Sequence, residues 1–143
     1  VPEVEEDVCI PFGRARIVAE GADITVVTNS MMTIKAEKAV RQLQKEGISA
    51  ELIDLRTIVP LDTETIIRSV KKTGKLLIVD EGHLSFGITG EIASRIMPDV
   101  FYDLDAPIQR MGTADVPLPF SPALEFPLIP DEKKIAAKIR EMV

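Results

Sequence analysis

The one histidine of the chain, His83, lies among residues whose types could do acid–base chemistry. Asp80 and Glu81 come just before it, and Ser85 comes just after it. Acidic neighbours can tune a histidine for proton transfer near neutral pH, and a serine held by such a base can act as a nucleophile. Closeness in sequence does not place the serine on the base, however. We therefore expect His83 to be a surface residue or an interface contact, and we predict no catalytic residue in the chain.

The loop that holds His83 is also rich in glycine, and it joins a predicted strand to a predicted helix, where doubly wound folds bind ligands. Gly82, Gly87 and Gly90 follow the spacing G-x4-G-x2-G. Dinucleotide sites require G-x-G-x-x-G, and P-loops end in Gly-Lys-Ser or Gly-Lys-Thr. Glycine also allows tight turns and close packing of a helix on a sheet. We expect this packing role and predict no cofactor-binding residue in the loop.

The contents of cysteine and histidine limit the chemistry further. Cys9 is the only cysteine, and with a single histidine it cannot complete a usual zinc site, so no metal site is predicted. A lone cysteine fits a reducing compartment. No apolar run approaches the roughly 20 residues that span a bilayer, and the acidic start lacks the apolar core of a signal peptide. The expected location is the cytoplasm, or the mitochondrial matrix in a eukaryote.

The acidic balance of the chain favours one class of partner over another. The formal net charge is -6 and the isoelectric point about 4.9. Acidic surface repels nucleic-acid phosphates but attracts a basic protein. Asp99, Asp103 and Asp105 alternate with Phe101 and Tyr102 in one stretch. This stretch is either an acidic docking edge with apolar contacts or a turn with solvated acids, and its residue types leave both interpretations open.

Short apolar runs alternate with amphipathic stretches along most of the chain. Asp62 is a suitable helix N-cap, and Gly74 is a suitable helix stop. Strands are predicted at residues 15–19, 24–28, 50–55, 76–79 and 108–111. Helices are predicted at 31–46, at 63–73, through residues 92–96 with an end before Pro98, and from Asp131 onward. Continuous apolar strands that alternate with helices predict an α/β fold of three layers, α/β/α, with a mostly parallel central sheet.

The two proline-containing segments are predicted to lie outside this regular pattern. Residues 112–130 contain five prolines and are expected to run extended over the surface. Residues 1–13 combine Pro2, Pro11 and Gly13 with acids and are interpreted as a linker segment, so residues 14–143 form the single predicted domain. A linker at the start favours excision from a longer polypeptide.

Residues 50–62, with the sequence AELIDLRTIVPLD, closely resemble a signature of the transketolase C-terminal domain, in particular the domain found in the beta subunit of thiamine-diphosphate-dependent 2-oxo acid dehydrogenases. Other stretches resemble the same family in the same order, and the resemblance covers nearly the whole chain. They are residues 11–15 (PFGRA), 71–74 (KKTG), 79–81 (VDE), 90–93 (GEIA), 104–107 (LDAP) and 115–120 (DVPLPF).

The resemblance implies a role in assembly. In such enzymes thiamine diphosphate and magnesium are held by the alpha subunit and by the first domain of the beta subunit, so no cofactor is expected in this chain. The parent would be a heterotetramer that decarboxylates a 2-oxo acid, or cleaves acetoin, and passes the acyl group to a lipoyl carrier. The last domain contacts the alpha subunit and the second beta subunit, and it docks the basic subunit-binding domain of the acyltransferase.

The resemblance also assigns partner-binding residues. Asp105 matches the position of a docking acid, and Val143 would carry a second carboxylate if it is the natural terminus. His83 is expected near a subunit contact. The loop from Glu81 to Gly87 departs from common members, which leaves the substrate open among pyruvate, a branched-chain 2-oxo acid and acetoin.

Two alternatives accompany this interpretation. The first is the C-terminal domain of a transketolase or a deoxyxylulose-phosphate synthase, which belongs to the same superfamily. The second is a stand-alone flavodoxin-like binding module, which would require a ligand at the strand ends.

Overall fold

The computed structural model describes residues 9–143, and a five-stranded sheet in the order β1-β3-β2-β4-β5 forms its centre. Four neighbouring strands are parallel, and β1 pairs antiparallel with β3 at one edge. The strands are β1 (Arg16–Ala19), β2 (Ile24–Thr28), β3 (Ala50–Asp54), β4 (Leu76–His83) and β5 (Gln109–Thr113). The prediction of a mostly parallel sheet with three adjacent central strands is confirmed.

Helices cover both faces of this sheet. The helices α1 (Ser30–Lys45) and α5 (Glu132–Met142) pack on one face, and α2 (Thr63–Thr73) and α3 (Ile88–Val100) pack on the other. All five residues of β2 are buried, because successive side chains point to opposite faces and both faces are covered. Burial on both faces explains why β2 and the first four residues of β4 show no alternation of apolar and polar side chains.

Because β2 to β5 are parallel, all four strands begin on one side of the sheet and end on the opposite side. We name the side where they begin the amino edge and the side where they end the carboxyl edge. The carboxyl edge carries the loops that follow β2, β3, β4 and β5. The amino edge carries the turns that precede them, among them the turn at Gly74 and Lys75 before β4 and the segment before β5. The helices α1, α2 and α3 each begin near the carboxyl edge and end near the amino edge.

Asp62 fixes both the start of α2 and the segment that leads into the sheet. Its carboxylate accepts hydrogen bonds from the Thr65 N–H at 3.1 Å, as predicted for an N-cap, and from the Ala15 N–H at 2.9 Å. Burial would raise the pKa of Asp62, but these hydrogen bonds outweigh it and hold the pKa below its ordinary value. The ionised Asp62 therefore joins residues that are distant in sequence.

An ion pair between a buried carboxylate and a half-exposed lysine lies at the amino end of β3. Glu51 is 1% exposed, and its carboxylate accepts hydrogen bonds from the Lys72 ammonium group and from the Gly21 N–H. Burial would raise the pKa of Glu51, but the hydrogen bond from Lys72 and the smaller contributions beside it lower the pKa overall. This pair connects the end of α2 to the middle of the sheet.

Three predictions of local structure are wrong. The strand predicted at residues 76–79 is too short, because β4 continues to His83 and includes Gly82 and His83, which were predicted to lie in a loop. The predicted end of α3 before Pro98 is too early, because the helix continues through Pro98 to Val100. Proline removes one hydrogen bond there, but Ile96 and Val100 are both fully buried, and their packing holds the last turn. The proline-rich stretch is also not extended throughout, since Pro122 starts the short helix α4 (Pro122–Glu125), a position where proline costs no hydrogen bond.

Candidate partner-binding surface

Asp105 lies at the amino edge of the sheet, in the segment that joins α3 to β5. Its side chain is exposed, and within residues 9–143 its carboxylate accepts no hydrogen bond and forms no ion pair. Its backbone N–H donates to the Gly74 carbonyl at 2.8 Å. The backbone of Asp105 is therefore fixed by the fold, while the carboxylate is available to a partner.

The close approach of Asp105 to the turn after α2 depends on glycine. Gly74 has a φ of +68°, a left-handed conformation that favours glycine. A Cβ added at Gly74 would overlap the Asp105 carboxylate. The sequence predicted Gly74 only as a helix stop, and this second role depends on a contact between residues that are far apart in the chain.

Val143 lies beside the same turn. The Lys75 ammonium group donates to the main-chain oxygen of Val143 at 3.4 Å. Gly74 and Lys75 are adjacent, so the structure brings the predicted partner residues Asp105 and Val143 to one place on the amino edge. The two residues are 38 positions apart in sequence, and the return of α5 to this edge is what places them together.

An apolar groove continues from Asp105 along β5, the outermost strand on this side of the sheet. It has a volume of about 590 Å³ and runs between α3 and β5. Met97 and Phe101 supply its α3 wall, Pro107 and Ile108 lie opposite, and Asp105 lies on its rim. An apolar groove beside an exposed carboxylate suits a partner that presents an apolar side chain next to a cation.

His83 lies on the opposite edge of the sheet. It is the last residue of β4, whose first residue, Leu76, lies near the Asp105 region. At a rise of about 3.3 Å per residue, the length of β4 separates His83 from the Asp105 region by about 23 Å. His83 and Asp105 therefore face different surroundings, and they belong to two surfaces rather than to one site.

The neighbourhood of His83 contains a serine and an aspartate, but not in the order of a catalytic triad. The Ser85 hydroxyl donates to Asp115 Oδ2 at 2.5 Å, and His83 Nδ1 donates to the Ala114 carbonyl at 2.9 Å. The Ser85 hydroxyl is the main cause that holds the pKa of Asp115 below its ordinary value. A triad requires the serine hydroxyl to donate its hydrogen bond to the histidine. Here the Ser85 hydroxyl donates its hydrogen bond to Asp115 instead.

The glycines of this loop pack against the protein itself. A Cβ added at Gly82 would lie 2.7 Å from Asp80 Oδ2, one at Gly87 would overlap the His83 carbonyl, and one at Gly90 would lie 3.1 Å from the Arg110 guanidinium group. These spaces are filled, so they do not form a cradle for a diphosphate. Among residues 9–143, no group of three or more His, Cys, Asp or Glu side chains could hold a metal ion. The residues described here do not fit thiamine diphosphate with magnesium.

The described helices are all too short or too polar to cross a membrane.

Three comparisons relate this geometry to known proteins. The chain is 46% identical over 142 residues to the "Pyruvate dehydrogenase E1 component subunit beta" of Rickettsia felis, which covers 99% of this chain and 43% of that protein. It is 42% identical over 132 residues to the "Acetoin:2,6-dichlorophenolindophenol oxidoreductase subunit beta" of Cupriavidus necator, covering 92% of this chain and 39% of that protein. The chain thus spans about two-fifths of the length of these relatives.

A solved structure gives the same result for the fold. The protein described as "Split gene transketolase, inactive beta4 tetramer" superimposes with a TM-score of 0.80 at 28% identity, covering 99% of this chain and 45% of that one. The family described as "Transketolase, C-terminal domain" matches residues 13–135. The predicted resemblance is confirmed, and the chain belongs to the transketolase C-terminal domain family.

Proposed function

We propose that residues 14–143 are the C-terminal assembly domain of the beta subunit of a thiamine-diphosphate-dependent dehydrogenase, preceded by a linker at residues 1–13. The parent enzyme would decarboxylate a 2-oxo acid, or cleave acetoin, and transfer the acyl group to a lipoyl carrier. The observation that carries the proposal is the similarity to dehydrogenase beta subunits along 99% of this chain but only 43% of the rickettsial one.

The chemistry would reside outside this domain. Thiamine diphosphate and magnesium would be bound by the alpha subunit and by the first domain of the beta subunit, and the cofactor would stabilise the carbanion of the substrate. The packed glycines beside His83 and the direct Ser85–Asp115 hydrogen bond support a non-catalytic role for this domain. The parent would act in the cytoplasm, or in the mitochondrial matrix in a eukaryote.

The amino edge is the proposed docking surface for the acyltransferase. Asp105 would accept charge-assisted hydrogen bonds from a basic residue of the subunit-binding domain, while the adjacent groove would take an apolar side chain. Val143 would contribute a second oxygen acceptor, with Lys75 as a competing donor. The net charge of -6 would steer a basic partner toward the domain.

The carboxyl edge has a different proposed role. His83 would contact the alpha subunit or the second beta subunit, because it is exposed about 23 Å from the acyltransferase surface along β4.

Assembly can be tested with a hybrid subunit in which residues 14–143 replace the matching region of the Rickettsia felis beta subunit. We expect the hybrid, combined with the rickettsial alpha subunit, to support reductive acylation of a lipoyl domain with pyruvate. The natural rickettsial subunit is the matched control. A hybrid that folds but gives no activity, while the natural subunit does, would contradict the proposal.

Docking can be tested with a pair of substitutions in the same hybrid enzyme. Asp105→Asn should weaken binding of the acyltransferase subunit-binding domain by about 2–5 kcal/mol, because it leaves a partner cation unpaired at the interface. Asp99→Asn removes the same charge from an exposed position outside the groove and should change the affinity little. Equal affinities of both variants, or a lowered melting temperature of Asp105→Asn alone, would assign Asp105 a structural role.

The transketolase alternative is favoured by one observation, the 0.80 TM-score to a split transketolase. The hybrid assay distinguishes it, since a transketolase-type domain should not complete a dehydrogenase.

A further inference from the structure

The carboxyl edge exposes apolar and cationic side chains that the fold itself does not use. Phe12 is 85% exposed and Val59 is 82% exposed, Phe86 is exposed in the loop after β4, and Met31 is exposed in the first turn of α1. Arg56 is exposed beside them and forms no ion pair within residues 9–143. We call these five residues the carboxyl-edge surface. Isolated apolar residues are ordinary on protein surfaces, but several on adjacent loops indicate a contact surface.

The backbone is strained at this same edge. Ser30, Arg56 and Phe86 are the non-glycine residues with positive φ in the described part of the chain, at 50°, 58° and 56°. Arg56 and Phe86 lie in loops that follow parallel strands, and Ser30 is the first residue of α1, where the chain leaves β2. Left-handed conformations of such residues cost about 1–3 kcal/mol and persist where the surroundings require them. Their grouping at one edge indicates that these loops are shaped for a contact.

The chain also reaches the domain at this edge. The Gly13 N–H donates to Thr57 Oγ1 at 3.0 Å, and the Thr57 hydroxyl donates to the Pro60 carbonyl at 3.0 Å. Together with the Ala15–Asp62 hydrogen bond, these contacts attach the leading segment to the loop after β3. Whatever precedes this domain is therefore connected at the carboxyl edge, next to Phe12 and Val59.

We propose that the carboxyl-edge surface is covered by the preceding domain of the same polypeptide. This inference rests on the proposed function, in which the domain is the last part of a beta subunit. The chain covers 43% of the rickettsial relative, so the other 57% of that protein lies outside the matching domain. The predicted linker spans roughly 3.5 Å per residue at most, so it holds the preceding domain close and gives it a high effective concentration. The facing surface is apolar and carries a carboxylate for Arg56.

Hydrogen exchange at the start of α1 can test this inference in the full-length beta subunit without its alpha partner. The first backbone amides of a helix have no intrahelical acceptor, so the Ser30 and Met31 amides at the start of α1 exchange rapidly unless another surface covers them. We expect slow exchange at these amides, unchanged over a 100-fold dilution. Protection that disappears on dilution would assign the surface to a second copy and overturn the inference.

Substitutions on the carboxyl-edge surface can be compared with a control substitution on the amino edge. Arg56→Gly relieves the left-handed backbone and removes the guanidinium group, so with Val59→Ser it should raise exchange at Ser30 and Met31 at least tenfold without lowering the stability of the domain itself. Tyr102→Ser removes an equally exposed aromatic ring from the amino edge and should change nothing. Rapid exchange in a wild-type subunit that still assembles with alpha into active enzyme would overturn this inference alone, whereas failure to assemble would overturn the proposed function.

Discussion

At the scale of single residues, the contact between Gly74 and Asp105 links the stability of the domain to its proposed docking surface. The sequence predicted both residues, one as a helix stop and the other as a docking acid, but it did not predict that they touch. Helix stops depend on local conformation and can be predicted from residue type. The contact depends on where α3 and β5 place the segment between them, which no local pattern encodes.

Replacement of Gly74 separates these two effects. Gly74→Ala should lower the free energy of unfolding by about 1–2 kcal/mol, because alanine is strained at positive φ. It should also weaken acyltransferase binding, because the new methyl group displaces the Asp105 carboxylate. Chemical denaturation and a binding titration of the hybrid enzyme measure the two quantities.

Gly47 offers a matched control, since it has a φ of +90° and a Cβ there would meet no atom within 4 Å. Gly47→Ala should show a similar loss of stability with normal binding. Loss of binding in both variants would mean that Asp105 does not act through its position beside Gly74.

His83 gives a second prediction at this scale. His83→Ala in the complete enzyme should leave turnover within about tenfold of normal, because removal of a general acid or base usually costs 100-fold or more. Steady-state kinetics of the assembled enzyme provide the measurement. A larger loss with assembly intact would show that the histidine takes part in the chemistry.

At the scale of elements, the strands and the start and end of α2 were predictable because their signals are local. Runs such as β2 are apolar or β-branched throughout, and Asp62 precedes its helix with the expected hydrogen bond. The end of α3 was not predictable, because burial of Val100 overrides the local effect of Pro98. The Glu51–Lys72 pair was also missed, since nothing local distinguishes Lys72 from the neighbouring Lys71.

These two lysines provide the test of this pair. Lys72→Met should lower the free energy of unfolding at pH 7 by about 1–3 kcal/mol, because it leaves the Glu51 carboxylate buried without its main donor. Lys71→Met breaks only an exposed pair of 3.8 Å with Asp103 and should cost less than about 1 kcal/mol. Equal losses of unfolding free energy in the two variants would contradict the stabilising role of the Glu51–Lys72 pair.

The same pair predicts a dependence on pH. Because folding lowers the pKa of Glu51, its contribution to stability is present above the ordinary carboxyl pKa and is lost as the pH falls through the lowered value. Lys72→Met removes the donor that lowers this pKa, so its loss of stability relative to the wild type should be largest at pH 7 and should shrink as the pH falls through the carboxyl range and Glu51 becomes protonated. Urea midpoints between pH 7 and pH 3 measure this difference.

At the scale of the whole molecule, parallel topology assigns the predicted partner residues to two edges of one sheet. The alternation of strands and helices predicted that topology, but the return of α5 to the amino edge, which places Val143 beside Lys75, required the structure. The amino edge thus presents the Asp105 carboxylate and an apolar groove together with Lys75, and the carboxyl edge presents exposed apolar side chains.

The mass of the assembly formed by the hybrid beta subunit and the rickettsial alpha subunit tests the proposed assembly role most directly. Sedimentation equilibrium should give the mass of two alpha and two beta subunits, equal to that of the natural rickettsial enzyme measured alongside. Separate alpha and hybrid subunits, under conditions in which the natural pair assembles, would contradict the account.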